Sequence, residues 1–174
     1  MLTLSGGLDE SMGGAHPFPD QTTWEFSEHD PFKAVYDTRR RSVYMMTQRF
    51  QKHPFLALFD GADTNASTAE RLTSTTALQA LFLMNDPFVH QQAQGFAGRL
   101  LSERADDAGR LNRAYELALG RPSRADEAAE AMAFLQRARA SLQGAGISPD
   151  QLTAQTWQSF VRALFLTHEF IYVE

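Results

Sequence analysis

Three proline-marked boundaries divide the second half of this 174-residue chain into pieces of helical length: Asp86-Pro87, Gly120-Arg121-Pro122 and Ser148-Pro149. An Asp or Ser just before proline offers an acceptor to the unpaired amides of a first helical turn, and the proline sits where its missing N–H costs nothing. Gly120 ahead of Pro122 is the opposite signal. A glycine takes the left-handed position that ends a helix, and the proline forbids continuation.

Between these boundaries apolar residues recur at helical spacing. Thr75 to Met84 reads as a compact helix with Leu78, Leu81 and Phe82 on one face, and a second helix runs from Pro87 to about Ser102. Ala108 to Leu119 aligns Leu111, Tyr115 and Ala118. The next helix is expected to be capped by Ser123 with Asp126 in the capping-box position, and to carry Ala128, Met132, Leu135 and Leu142 as its apolar stripe. After a flexible link at Gln143–Gly146, a last helix buries Trp157, Phe160, Val161 and Leu164. That makes five helices in 75–168, with one further buried helical turn at His53–Gly61, where Pro54 opens the turn and Gly61 caps it.

The first part of the chain reads differently. Glycines and prolines crowd residues 5–32, with Trp24 and Phe26 as the aromatics that would fasten this loop to a core. Arg41 to Phe50 alternates loosely and is rich in Val, Tyr and Thr, which predicts a short strand or extended segment. The expected fold class is therefore mainly α: a small helical bundle of about five helices, with an irregular, loop-rich N-terminal arm and one short strand. The arm covers 1–52 and the bundle 53–174, as one structural unit.

Composition narrows the chemistry. With no cysteine, the chain has no disulfide, no thiolate nucleophile and no c-type haem attachment site. A net charge of −5 argues against a nucleic-acid partner, which needs a positive face. There is no eighteen-residue apolar stretch, so direct membrane insertion is not expected.

Five ordered blocks carry a family likeness: RRSVY at 40–44, FLALFDGADTNAS at 55–67, TTALQALFLMNDPFV at 75–89, AYELALGRPSRADE at 114–127 and LFLTHEFIYV at 164–173. Together they resemble the planctomycete-specific C-terminal domain of unknown function found in large multidomain proteins with cytochrome-c-like N-terminal domains. The resemblance implies that upstream domains of a longer parent protein are the partners, and that any haem sits in a separate upstream domain. It transfers no catalytic residue. It also leaves two localisations open: cytoplasmic if Met1 is the native start, periplasmic or envelope-bound if this is a piece of an exported protein.

Two clusters are candidate sites. Asp60, Asp63 and Asn65 place oxygen ligands in one turn, as a Ca2+ site requires, although the same residues are good turn and cap formers. Arg39, Arg40 and Arg41 form the densest basic patch, suited to an anionic ligand such as an anionic polysaccharide, or to internal ion pairs with Asp30, Asp37 or Asp60. The five histidines, His16, His29, His53, His90 and His168, form no HExxH-type pair, and no GxSxG is present. The chain alone is thus read as a non-catalytic structural or interaction module of a larger envelope-associated protein. The alternative is a contribution to an anionic-ligand or polysaccharide-binding cleft of an enzyme formed with the upstream domains. Leu2, Leu4 and the tail from Phe170 to Val173 are expected to leave apolar surface uncovered near the arm.

Overall fold

Asp86 accepts the amide of Phe88 at 2.8 Å through Oδ1, and Pro87 starts a helix that continues to Glu103, as its cap chemistry dictates. A computed structural model describes residues 1–14, 36, 38–49, 52–70 and 74–172. It is mainly α-helical. In chain order the described helices are α1 (Leu2–Ser5), α2 (Pro54–Leu58), α3 (Ala77–Asn85), α4 (Pro87–Glu103), α5 (Asp107–Leu119), α6 (Ala125–Gly144), α7 (Pro149–Phe165) and α8 (His168–Ile171). The chain divides into two compact units, one made of Met1–Gly7 with Ala80–Glu174, the other of Leu8–Gln79.

The larger unit is built on α4 and α7, which share its most extensive interface; α6 packs on α7, α5 on α6, and α1 on α4. Val89, Phe96, Leu100, Trp157, Val161 and Phe165 are almost fully buried along that interface. Each such side chain contributes about 1.5–3 kcal/mol by leaving water. Phe96 and Phe165 lie parallel with ring centres 6.2 Å apart, and Phe165 stacks in turn on Phe170 at 4.8 Å. The apolar tail is therefore docked by its phenylalanine, whereas Val173 lies outside the described residues.

α1 was not foreseen. Leu4 enters the core, which removes one of the apolar residues expected to stay open. Buried Gln92 is satisfied by Ser5, whose Oγ lies 2.6 Å from its Oε1, and Arg99 reaches the carbonyls of Thr3 and Leu4 at 3.4 and 3.3 Å. Gly95 on α4 makes this approach possible, since a Cβ there would stand 2.9 Å from the Cβ of Ser5.

Several expectations are corrected. Arg41 to Arg49 does not form a strand: Ser42–Tyr44 is a 3-10 turn, Phe50 lies outside the described residues, and the one bridge among the described residues joins Asp9 to Arg40. Strand propensity is realised only where a neighbouring strand accepts the ladder, and Val43, 79% exposed, has no such cover. The turn at 54–58 begins with Pro54 as expected but buries no residue, and Asp60, with φ 53°, takes the left-handed position assigned to Gly61. Gly61 serves a different purpose, because a Cβ would meet the Leu56 carbonyl and Cβ at 2.7 Å.

On α3, Leu78 and Leu81 are 67% and 52% exposed rather than core, while Gln79 is buried. The N-cap of α6 is Arg124, not Ser123, and the carboxylate that reaches back to its amide is Glu127, at 2.8 Å, rather than Asp126. α6 also continues through Gln143 to Gly144, where a flexible link was expected. Ser148 occupies the N-cap of α7 without a side-chain bond. Trp24 and Phe26 lie outside the described residues.

Three glycines test this architecture. Gly120 ends α5 at φ 72° with open space around it, so Gly120→Ala should cost about 1 kcal/mol through backbone strain alone. Gly98, helical and equally open, should gain about 0.5–1 kcal/mol on the same substitution. Gly95→Ala must push α1 away and should cost about 1–3 kcal/mol. Denaturant midpoints of the three variants give the order directly, and equal midpoints would contradict it.

Candidate functional site

The Asp60–Asn65 turn belongs to the Leu8–Gln79 unit, and its polar atoms are engaged locally. Asp60 Oδ2 accepts both the amide and the hydroxyl of Ser74, at 3.0 and 2.7 Å. Asp63 Oδ1 accepts the Asn65 amide at 2.9 Å, and Asn65 Nδ2 donates to the Arg49 carbonyl at 2.9 Å. Thr64 Oγ1 donates to the Gln48 carbonyl at 3.1 Å, and Lys52 Nζ to the Gly61 carbonyl at 2.6 Å. Buried Gln79 completes the set by donating to the Leu58 carbonyl at 2.9 Å and to Ser74 Oγ at 3.2 Å. These contacts staple the turn to the 48–52 segment, which is the cap-and-turn chemistry of Asx residues. Among the described residues no group of three His, Cys, Asp or Glu side chains could hold a metal ion.

The arginine run is split by its surroundings. Arg40 turns its guanidinium onto the Gly13 carbonyl at 2.7 Å and onto Asp9 at 3.5 Å, and the Arg39 carbonyl accepts the Asp9 amide at 3.0 Å. Arg39 and Arg41 are exposed. Arg40 thus has an internal ion-pair partner, but it is Asp9; Asp30 and Asp37 lie outside the described residues, as do His16 and His29. His53 caps α2, its Nδ1 accepting the Phe55 amide at 3.2 Å, and burial holds its pKa below the usual imidazole value.

The strongest electrostatics lie where the sequence reading placed nothing. Arg121, one residue past the Gly120 stop, makes paired contacts to Glu127 (2.8 and 2.7 Å) and to Glu169 (2.7 and 2.6 Å), with its guanidinium carbon 5.7 Å from the centre of the Tyr115 ring. The Arg121 bonds bring the Glu127 carboxyl down to about 2 and also depress that of Glu169. A second cluster joins Glu103 to Arg113 at 2.8 Å and to Arg99 at 2.7 Å, and again the arginine bonds lower the carboxyl pKa. Both clusters consist of opposite charges satisfying one another, a structural use of charge. The signal available beforehand was a spacing of six residues between Arg121 and Glu127 across a helix stop, which means little until Glu169 arrives from another helix.

A different surface lies at the corner where α3, α4 and α7 meet within the larger unit. Leu81 and Met84 of α3 are half-exposed. The Met84 carbonyl accepts from His90 Nε2–H and from Arg162 Nη2, both at 3.1 Å, which fixes the corner. Beside it is a shallow open depression lined by Asn85, Phe88, Gln91, Gln94 and Gln158, together with Pro87 and His90. Among the described residues no helix is long and apolar enough to cross a membrane.

The fold is that of a mainly α-helical domain in which Arg99, Arg113 and Arg121 are paired with carboxylates of the same chain. The chain belongs to the family described as PSD1, protein of unknown function (DUF1553), whose model matches residues 1–135. No curated protein and no solved structure matches the chain.

Acid should reveal the Arg121 cluster. A carboxyl whose folded pKa is depressed stabilises the fold above its ordinary pKa, and that stability is lost as pH falls toward the folded value. The melting temperature should therefore drop as pH is lowered from 4.5 toward about 2, and Arg121→Met should flatten that part of the profile. An unchanged profile in the variant would remove Arg121 as the cause. Calcium addition should leave the melting temperature unmoved; a rise that Asp63→Ala abolishes would reverse the reading of the 60–65 turn.

Proposed function

We propose that this domain is a non-catalytic interaction module, the C-terminal part of a larger envelope-associated protein, and that it docks on upstream domains of the same polypeptide through the outer face of α3. The observation that carries this reading is the exposure of Leu81 and Met84, 52% and 49%, one helical turn apart on a helix adjoining the bundle core. A contiguous exposed apolar patch is the kind of surface that another body covers, and Leu81 and Met84 are neighbours that contribute to one. By contrast, the side chains with the strongest pKa perturbations, Arg121 and Glu127, are accounted for by ion pairs that bind helices to one another. The five sequence blocks at 40–44, 55–67, 75–89, 114–127 and 164–173 support the setting: a planctomycete multidomain protein in which cytochrome-c-like domains precede this region.

An antibody against the domain should detect, in its native cells, a polypeptide longer than 174 residues. The domain on its own should bind a hydrophobic dye, and Leu81→Gln with Met84→Gln should reduce that binding without lowering the melting temperature. Adding the upstream segment should slow hydrogen exchange of side-chain-adjacent amides on α3. A native protein of this length whose isolated domain binds no dye would overturn the proposal.

A further inference from the structure

The depression beside the α3–α4 corner is lined by amides and rings, and none of the side chains lining it is an Asp, Glu, Lys or Arg. In a chain with 21% charged residues, that absence bears on the ligand. An ionic ligand would find no Asp, Glu, Lys or Arg side chain in the lining, with His90 its one titratable group, and hydrolysis of a glycosidic bond would find no pair of carboxylates. What the surface offers is hydrogen-bonding capacity of both senses. Gln91 and Gln94 are exposed on successive turns of α4, and neither side chain has a hydrogen-bond partner among the described residues. A free carboxamide presents two donors and an acceptor side by side.

Two more amides are already oriented. Gln158 on α7 donates through Nε2 to the His90 carbonyl at 3.2 Å, which leaves its Oε1 as an acceptor. Asn85 at the end of α3 donates through Nδ2 to the Leu81 carbonyl at 3.0 Å and keeps its Oδ1. Three helices therefore bring fixed acceptors and free donor–acceptor pairs to one surface. Phe88, 37% exposed, and Pro87 add apolar ring faces. Adjacent hydroxyls on a ring with an apolar C–H face match this combination: each vicinal pair can donate to one amide oxygen and accept from a neighbouring N–H, while the C–H face rests on an aromatic ring.

We propose that this depression is a binding site for a neutral, polyhydroxylated ligand, a segment of uncharged polysaccharide or oligosaccharide. The side chains of Leu81 and Met84 are not among those that line the site. It is open and shallow, as suits a chain that lies across a surface, and its affinity rests on a few hydrogen bonds and one ring contact. The corner is held in advance by the Asp86 cap and by the two donors on the Met84 carbonyl, so binding needs no rearrangement of backbone.

The test is an NMR titration of the labelled chain with neutral oligosaccharides (gluco-, xylo- and manno-configured), with a uronic-acid oligomer and an uncharged peptide as contrasts. Neutral oligosaccharides should cause saturable shifts in the side-chain amides of Gln91, Gln94 and Gln158 and in the ring of Phe88. Gln91→Ala with Gln94→Ala, both at exposed positions, should weaken binding roughly tenfold and leave the melting temperature unchanged. Phe88→Ala should weaken it independently. The proposal is overturned by any of three results: no shift at these residues with any neutral oligosaccharide, shifts that survive the double variant, or shifts produced only by the uronic-acid oligomer or the peptide.

Discussion

Burial of aromatic rings between α4 and α7 is the interaction on which the larger unit rests. Phe96 from α4 meets Phe165 from α7, and Trp157 and Val161 lie on the same buried side of α7. Within that unit α1 and α5 pack on α4, and α6 and α8 pack on α7. On one side the stack continues from Phe165 to Phe170 of α8, and on the other Phe160 meets Trp157 edge-on at 5.5 Å and Phe134 of α6 at 6.3 Å. Trp157 also donates its indole N–H to Asp107 at 3.2 Å, so the first turn of α5 is tied to the same core residue. Such rings contribute area and orientation together, which is why a few of them can organise several helices.

Charge then acts around that core as a set of ties. Arg121 joins the α5–α6 junction to α8, and Glu103 joins the end of α4 to Arg113 of α5. Ion pairs of this kind, screened by nearby solvent, add little net stability, so these clusters select the arrangement of ends that the aromatic core has already brought close. α1 shows the same division: Leu4 supplies burial, while Gln92 and Arg99 satisfy the polar groups that come with it. In the second unit the described residues are tied by local bonds such as those from Ser74 to Asp60 and from Gln79 to Leu58.

The functional reading follows from what these ties leave over. Glu103, Glu127 and Glu169, whose carboxyl pKa values are lowered, are engaged with arginines, whereas Leu81 and Met84 on α3 and the carboxamides of Gln91 and Gln94 face outward. An interaction module belonging to a family of unknown function is consistent with such a surface.

The helix boundaries at Asp86, Gly120 and Ser148 were legible in the sequence, and so were the buried residues of α7, because a cap, a left-handed stop and a 3.6-residue apolar period are decided within one or two turns of the chain. Side-by-side partners are not. Whether Val43 lies in a strand depends on a neighbour distant in sequence, and whether Leu81 is core depends on a helix arriving over it; among the described residues Val43 lies in a 3-10 turn and Leu81 is half-exposed. Asp60, Asp63 and Asn65 could be recognised as oxygen-rich turn residues, yet only the folded turn shows Ser74 and the Asn65 amide as the donors they accept. The Arg121 cluster and the carboxamide depression lie wholly on the tertiary side of that line. Their members come from separate helices, 121, 127 and 169 in one and 85, 91, 94 and 158 in the other, and it is packing of α4 against α7 and α8 against α5 that gives those numbers a common place.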